Sequence, residues 1–176
     1  MRIIVALLGA NLEIMNEVYI LLGGNLGDKS KIFEETRKQI GERIGPVTRL
    51  SSVYVTEPWG FKSDLFWNQA LITETVLTPH EVLKQTQEIE INMGRTTKST
   101  HYIARVIDID LLFYEDLQLN SLDLTLPHPR IGVRKFVLIP LNEIAPGKRH
   151  PYSGLTIKEM LQICPDELNV ELLDHM

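Results

Sequence analysis

Residues 105–114, "RVIDIDLLFY", set an electrostatic problem whose solution decides how the chain is read. Ile107, Ile109, Leu111 and Phe113 have the alternate spacing of a strand buried on one face. Asp108 and Asp110 fall between them, so alternation projects both carboxylates from the opposite face, just after Arg105. Unpaired, two such groups repel, and burial raises the pKa of at least one. One solution is a bridging divalent cation or two, because Mg²⁺ is commonly held by one or two carboxylates together with substrate phosphates. The other is a solvated strand face salt-bridged to Arg105 or Lys98. The D-x-D pattern alone leaves both open.

The preceding segment, "GRTTKSTHYIAR", is a polar loop of about 12 residues, a length that suits a lid or binding loop. From Arg95 to Ile107 it carries Arg95, Lys98 and Arg105 and no acid. Arginine suits bidentate phosphate contact and lysine a point-charge contact, although a solvated basic loop has the same composition. On the other side of the strand, "PHPRIGVRKF" holds His128 between two prolines that stiffen its backbone. Arg134 and Phe136 lie two apart, so an extended backbone would point them the same way. An aromatic beside a phosphate-binding arginine fits a flat ring with an anionic neighbour, and Phe136 as ordinary core is the alternative.

Working outward, residues 18–22 read as a strand ended by Gly23-Gly24-Asn25. Asp28 can cap a helix from 29 to about 43, which Gly45-Pro46 breaks. Strands are predicted at 50–56 and 68–76, separated by the loop "EPWGFKSDLF". Thr78-Pro79-His80-Glu81 supplies an N-cap, a proline at the first helical position and a glutamate at the third, so a helix runs to about Met93 and stops at Gly94. After the 105–114 strand comes a turn-rich stretch to about residue 146, then a short helix from about 157 to 163. The order is βαββαβ with C-terminal additions, an α+β, ferredoxin-like arrangement of an antiparallel sheet with helices on one face. "GGNLGD" at 23–28 resembles a phosphate-cradling turn but lacks P-loop spacing, so it reads as a tight turn that shapes a cleft wall.

The 176 residues suit one domain with a real core, and 44% hydrophobic with 23% charged residues exclude a disordered chain. A formal net charge of −5 argues against general nucleic-acid binding and against a membrane-surface role. One cysteine, Cys164, excludes an internal disulfide and a cysteine-based zinc site, and suits a reducing cytoplasm. No apolar run reaches the roughly 18 residues of a membrane span. "VALLGANLEI" at 5–14 echoes "YILLGGNLGD" at 19–28, and Met15 stands between the copies. Residues 1–14 are therefore read as an N-terminal extension and 15–176 as a single domain, with an extra edge strand as the alternative for the extension.

Together "YILLGGNLGD", "IEINMGR", "RVIDIDLLFY" and "LPHPRIGVRKFVLIPL" resemble, in order and spacing, the 6-hydroxymethyl-7,8-dihydropterin pyrophosphokinases of folate biosynthesis. The resemblance covers roughly residues 18–163 and implies transfer of the terminal pyrophosphoryl group of ATP to the pterin's hydroxymethyl oxygen, releasing AMP. It implies two Mg²⁺ ions on Asp108 and Asp110, with Arg95 and Arg105 as further catalytic groups of the lid loop. ATP contacts would fall to Gln87, Glu90, Lys98, Arg105, Leu111, Thr125, His128 and Arg134. The pterin would lie between Phe66 and Phe136, with Asn68 reading its amide edge and Thr56, Pro58 and Trp59 completing the subsite. A cytoplasmic monomer is expected, a homodimer being the alternative, with neither nucleic acid nor membrane as partner. Three positions depart from the family's pattern: Gly24 replaces a serine, Phe66 a tyrosine, and Tyr102 a tryptophan of the lid. Competing readings are a phosphotransferase using one aspartate as covalent nucleophile and a ferredoxin-like RNA-binding module, which the two carboxylates and the acidic charge count against.

Overall fold

The computed structural model describes residues 4–8, 11–57, 64–94 and 105–173. In chain order the elements are β1 (Ile4–Leu8), β2 (Asn11–Gly24), α1 (Lys29–Arg43), β3 (Val47–Leu50), β4 (Tyr54–Thr56), β5 (Phe66–Thr75) and α2 (Pro79–Asn92). They continue with β6 (Asp108–Tyr114), β7 (Leu119–Asn120), β8 (Thr125–Leu126), α3 (Lys135–Ile144), α4 (Ile157–Gln162) and β9 (Val170–Leu172). Strand β2 is central: β5 pairs along one edge and β6 along the other, both antiparallel. β3 and β4 pair with the far side of β5. This is the βαββαβ arrangement expected from the sequence. β1 adds to the start of β2, with Ile4 opposite Met15 and Leu8 opposite Asn11, and β9 adds to β4.

Local chemistry sets the helix starts. Asp28 accepts a hydrogen bond from the Lys31 N–H at the head of α1. Thr78 and Glu81 form a reciprocal capping box at α2 with Pro79 in the first turn, and Thr156 and Glu159 repeat the device at α4. Each such cap contributes about 1 kcal/mol.

Strand alternation sorts side chains onto two faces. Val18, Ile20 and Leu22 of β2, Leu71 of β5 and Ile107, Ile109 and Leu111 at β6 pack with Phe33, Ile40, Val82 and Ile89 of α1 and α2. On the opposite face Tyr19, Leu21, Ala70 and Ile72 pack with Val137, Leu138 and Leu141 of α3 and with Ile157 and Met160 of α4. Helices therefore cover both faces, not one, and the second cover is partial.

Two expectations are corrected here. Phe113 does not share a face with Ile107, Ile109 and Leu111: it packs on the α3 side against Tyr19, edge to face at 5.6 Å. The cause is a bulge, because Ile20 pairs with Leu111 while Tyr19 pairs with Phe113, leaving Leu112 as an extra residue that reverses the alternation. The stretch read as turn-rich contains α3, which Lys135 begins, so Arg134 and Phe136 are not joined by extended backbone. Arg134 is extended and Phe136 already lies in the first helical turn. Pro140 sits inside α3, where it lacks the N–H that would bond the Phe136 carbonyl.

Candidate active site

The α3 face of the sheet is not covered to its end. Beyond the reach of α3 and α4 it opens into a cleft lined by Leu21, Gly23, Thr56, Glu57, Phe66, Asn68, Arg105, Asp108, Asp110, Arg134, Phe136, Asp166 and Leu168. Alternation explains why these residues meet. Asp108 and Asp110 of β6 pair with Gly23 and Leu21 of β2, and Asn68 of β5 pairs with Gly23 from the other side. Residues from three adjacent strands thus converge on one floor.

At the acidic end, Arg105 forms an ion pair with Asp108. The salt bridge that the sequence allowed is therefore present, inside the cleft and beside Asp110. Asn25 fixes the backbone that carries Arg105. Fully buried, its Oδ1 accepts from the Arg105 N–H at 2.7 Å, its own N–H and that of Leu26 donate to the Arg105 carbonyl, and its Nδ2 donates to the Asp64 carbonyl at 3.1 Å. Gly24 permits this approach, since a Cβ there would stand 2.4 Å from the Val106 carbonyl oxygen. The "GGN" turn is thus a wall built by close backbone contact.

Two acids on one side, with no third acid, histidine or cysteine grouped with them among the described residues, match a cation held partly by a ligand's phosphates rather than an all-protein cage. His128 sits near this end, half-buried. Its pKa is lowered to about 4 by desolvation first, then by repulsion from Arg134 and Arg130, with Asp108 opposing. Its Nδ1 accepts from the Arg130 N–H at 3.2 Å, so the neutral ring carries its proton on Nε2 as a donor.

The other end is aromatic and amidic. Asn68 is buried, and its Nδ2 donates to the Thr56 Oγ1 at 3.1 Å and more weakly to the Tyr54 carbonyl. That fixes the amide and leaves Oδ1 toward Gly23. Phe66 pairs across the strands with Thr56, and Phe136 enters from α3 with the Arg134 guanidinium 5.4 Å over its ring. Two rings, an oriented amide, two guanidinium groups and an acid pair can hold a flat heterocycle beside a metal-bound anion.

Of the residues singled out from sequence, Thr56, Phe66, Asn68, Arg105, Asp108, Asp110, Arg134 and Phe136 share the cleft. Glu90 is buried on α2, where its Oε1 accepts from the Ile109 N–H at 2.8 Å and so holds the outer edge of β6 between the two aspartates. Gln87 is half-buried on α2, Leu111 lies in the core beneath α1 and α2, and Thr125 on β8 donates to Asn120. Pro58, Trp59, Arg95, Lys98 and Tyr102 lie outside the described residues. Sequence reasoning missed Leu21, Glu57, Asp166, Leu168 and the role of Asn25. Alternation along β2 could have found Leu21; the rest meet only in three dimensions.

The chain is similar to proteins of one family. Residues 19–146 match the family model described as 7,8-dihydro-6-hydroxymethylpterin-pyrophosphokinase. A Porphyromonas gingivalis protein named 2-amino-4-hydroxy-6-hydroxymethyldihydropteridine pyrophosphokinase is 41% identical over 133 residues, 73% of this chain and 90% of that protein. A Bacillus subtilis protein of the same name is 37% identical over 163 residues, 91% of this chain and 97% of its own length. Among solved structures, wild-type Plasmodium falciparum HPPK-DHPS with pteroate has a TM-score of 0.69 at 16% identity, a likeness of fold. It covers 87% of this chain, which spans only 43% of that longer one. The chain belongs to the 7,8-dihydro-6-hydroxymethylpterin-pyrophosphokinase family.

Proposed function

We propose that the cleft transfers the terminal pyrophosphoryl group of ATP to the hydroxymethyl oxygen of 6-hydroxymethyl-7,8-dihydropterin, giving the pterin diphosphate and AMP in folate biosynthesis. Family membership supports the reaction class. The observation that carries the residue assignment is one continuous cleft joining the acid pair Asp108 and Asp110 to the aromatic pair Phe66 and Phe136.

The pterin would lie between Phe66 and Phe136. Its donors would meet the Asn68 Oδ1, whose orientation Thr56 fixes before the ligand arrives. Arg134, already stacked on Phe136, would meet the phosphates where the two substrates adjoin. The Nε2–H of His128 would donate a neutral hydrogen bond, and Arg105 would supply a bidentate charge. Asp108 and Asp110 would hold Mg²⁺, which when bound neutralises the triphosphate and activates the attacking hydroxyl. The protein's contribution is then to position the oxygen nucleophile in line with the β-phosphorus and to stabilise charge as AMP leaves, with no covalent intermediate required. Arg95, Lys98, Gln87, Glu90, Leu111 and Thr125 are proposed as further nucleotide-side residues, and Pro58 and Trp59 as further pterin-side residues.

The residue assignment is tested by Asp108→Ala and Asp110→Ala. Each should lower Mg-dependent kcat by about 10³-fold while the thermal midpoint stays within a few degrees of wild type. Wild-type turnover by either variant would remove the acid pair from the reaction.

A further inference from the structure

The matched family region ends at residue 146, yet two lining residues of the cleft, Asp166 and Leu168, lie well beyond it. They line the same cleft as Phe136 and Arg134. The segment is fastened at both ends. At one end the Asp166 Oδ2 accepts from the Lys135 N–H at 2.8 Å, while its Oδ1 accepts from the Leu168 N–H at 3.0 Å. At the other end β9 pairs with β4, setting Val170 opposite Thr56, and the Leu173 N–H donates to the Val53 carbonyl. Helix α3 has no side-chain cap from its own N-cap residue, Arg134. Asp166 supplies that cap from a distant part of the chain, one residue before Phe136.

We propose that the C-terminal segment from Asp166 to β9 is the outer wall of the aromatic subsite, and that Asp166 is a positioning residue that sets Phe136 against the ligand ring. The proposal rests on the pterin reading of the cleft. Holding the first turn of α3 fixes the backbone from which Phe136 and the stacked Arg134 project. With the turn pinned, ring and guanidinium are arranged before ligand arrives, and less ordering is left to accompany binding. Asp166 thereby links to Lys135 across 31 positions of sequence, and Leu168 supplies apolar surface to the same cleft.

The test is calorimetric binding of 6-hydroxymethylpterin and, separately, of a non-hydrolysable ATP analogue with Mg²⁺, together with kcat, for wild type, Asp166→Ala, Asp166→Asn and Asp166→Glu. Loss of a helix cap is worth about 1 kcal/mol, so Asp166→Ala should weaken pterin binding about fivefold. Nucleotide affinity, reached only through Arg134, should fall less than pterin affinity, and kcat at saturating pterin should stay within about twofold. Asp166→Asn keeps one oxygen to accept the Lys135 N–H but turns an amide NH2 toward the Leu168 N–H, and should bind pterin between wild type and Asp166→Ala. Asp166→Glu keeps the charge but displaces the oxygen, and should resemble Asp166→Ala, which preserves the test if the alanine variant does not fold. Wild-type pterin affinity in both the alanine and glutamate variants overturns the proposal. So does a loss in Asp166→Asn equal to that in Asp166→Ala, which would make the carboxylate charge itself the contact. Wild-type protein that takes up no pterin overturns the reading of the cleft, and the proposal with it.

Discussion

On β2, Val18, Ile20 and Leu22 face α1 and α2, while Tyr19, Leu21 and Gly23 face the layer of α3 and α4. The first set stays apolar to the end of the strand. The second passes from packed side chains to a glycine on the cleft floor, and its neighbours follow. β5 runs from Ile72 and Ala70 back to Asn68 and Phe66, and β6 from Phe113 back to Asp110 and Asp108. One face is a continuous core; the other is a core for half its length and a site for the rest. A sheet can thus carry chemistry without giving up stability, because only one end of one face is left open while the rest of that face and the whole of the other are packed.

Changes on the covered face should cost stability and spare chemistry, and changes on the open face the reverse. The largest effect is expected for Ile20→Ala, which empties a fully buried site between β2 and the helices. Its unfolding free energy in urea should fall by about 2–5 kcal/mol, with both Michaelis constants of the folded protein unchanged. A tenfold change in either constant would break the division between faces.

Next is Arg105→Ala on the open face. Its kcat should fall about 100-fold, as for removal of one charge-stabilising donor, while the pterin dissociation constant changes less than twofold. A loss confined to pterin affinity would move Arg105 to the wrong end of the cleft.

The smallest effect concerns His128, whose folded pKa of about 4 lies below the ordinary 6.5. Between these values the unfolded chain binds a proton that the folded protein does not, so stability falls as pH drops from about 6.5 toward 4 and levels off below. Replacing His128 with Gln removes this contribution and should recover about 1–2 kcal/mol near pH 5, read from urea unfolding across pH in a chelator. An unchanged pH profile would mean that the ring already titrates normally.

Much of this was legible in the residues themselves. Asp28 and the Thr78-Pro79-His80-Glu81 run announce their helices because caps are local chemistry. Asp108 and Asp110 share a face because alternation is local geometry. What escaped depends on contacts made far along the chain. The Leu112 bulge turns Phe113 over without a glycine or proline to mark it. Helix α3 is masked by Pro140 and by the prolines before it, and its cap comes from Asp166 rather than from a neighbouring residue. Asn25 reads as a turn residue, yet it binds the backbone of Arg105 and of Asp64 at once.

Incubating the protein with ATP, Mg²⁺ and 6-hydroxymethyl-7,8-dihydropterin and identifying the nucleotide released tests the central claim most directly. Stoichiometric AMP with the pterin diphosphate is the predicted result. ADP with a pterin monophosphate would contradict pyrophosphoryl transfer and reassign the acid pair to single phosphoryl chemistry.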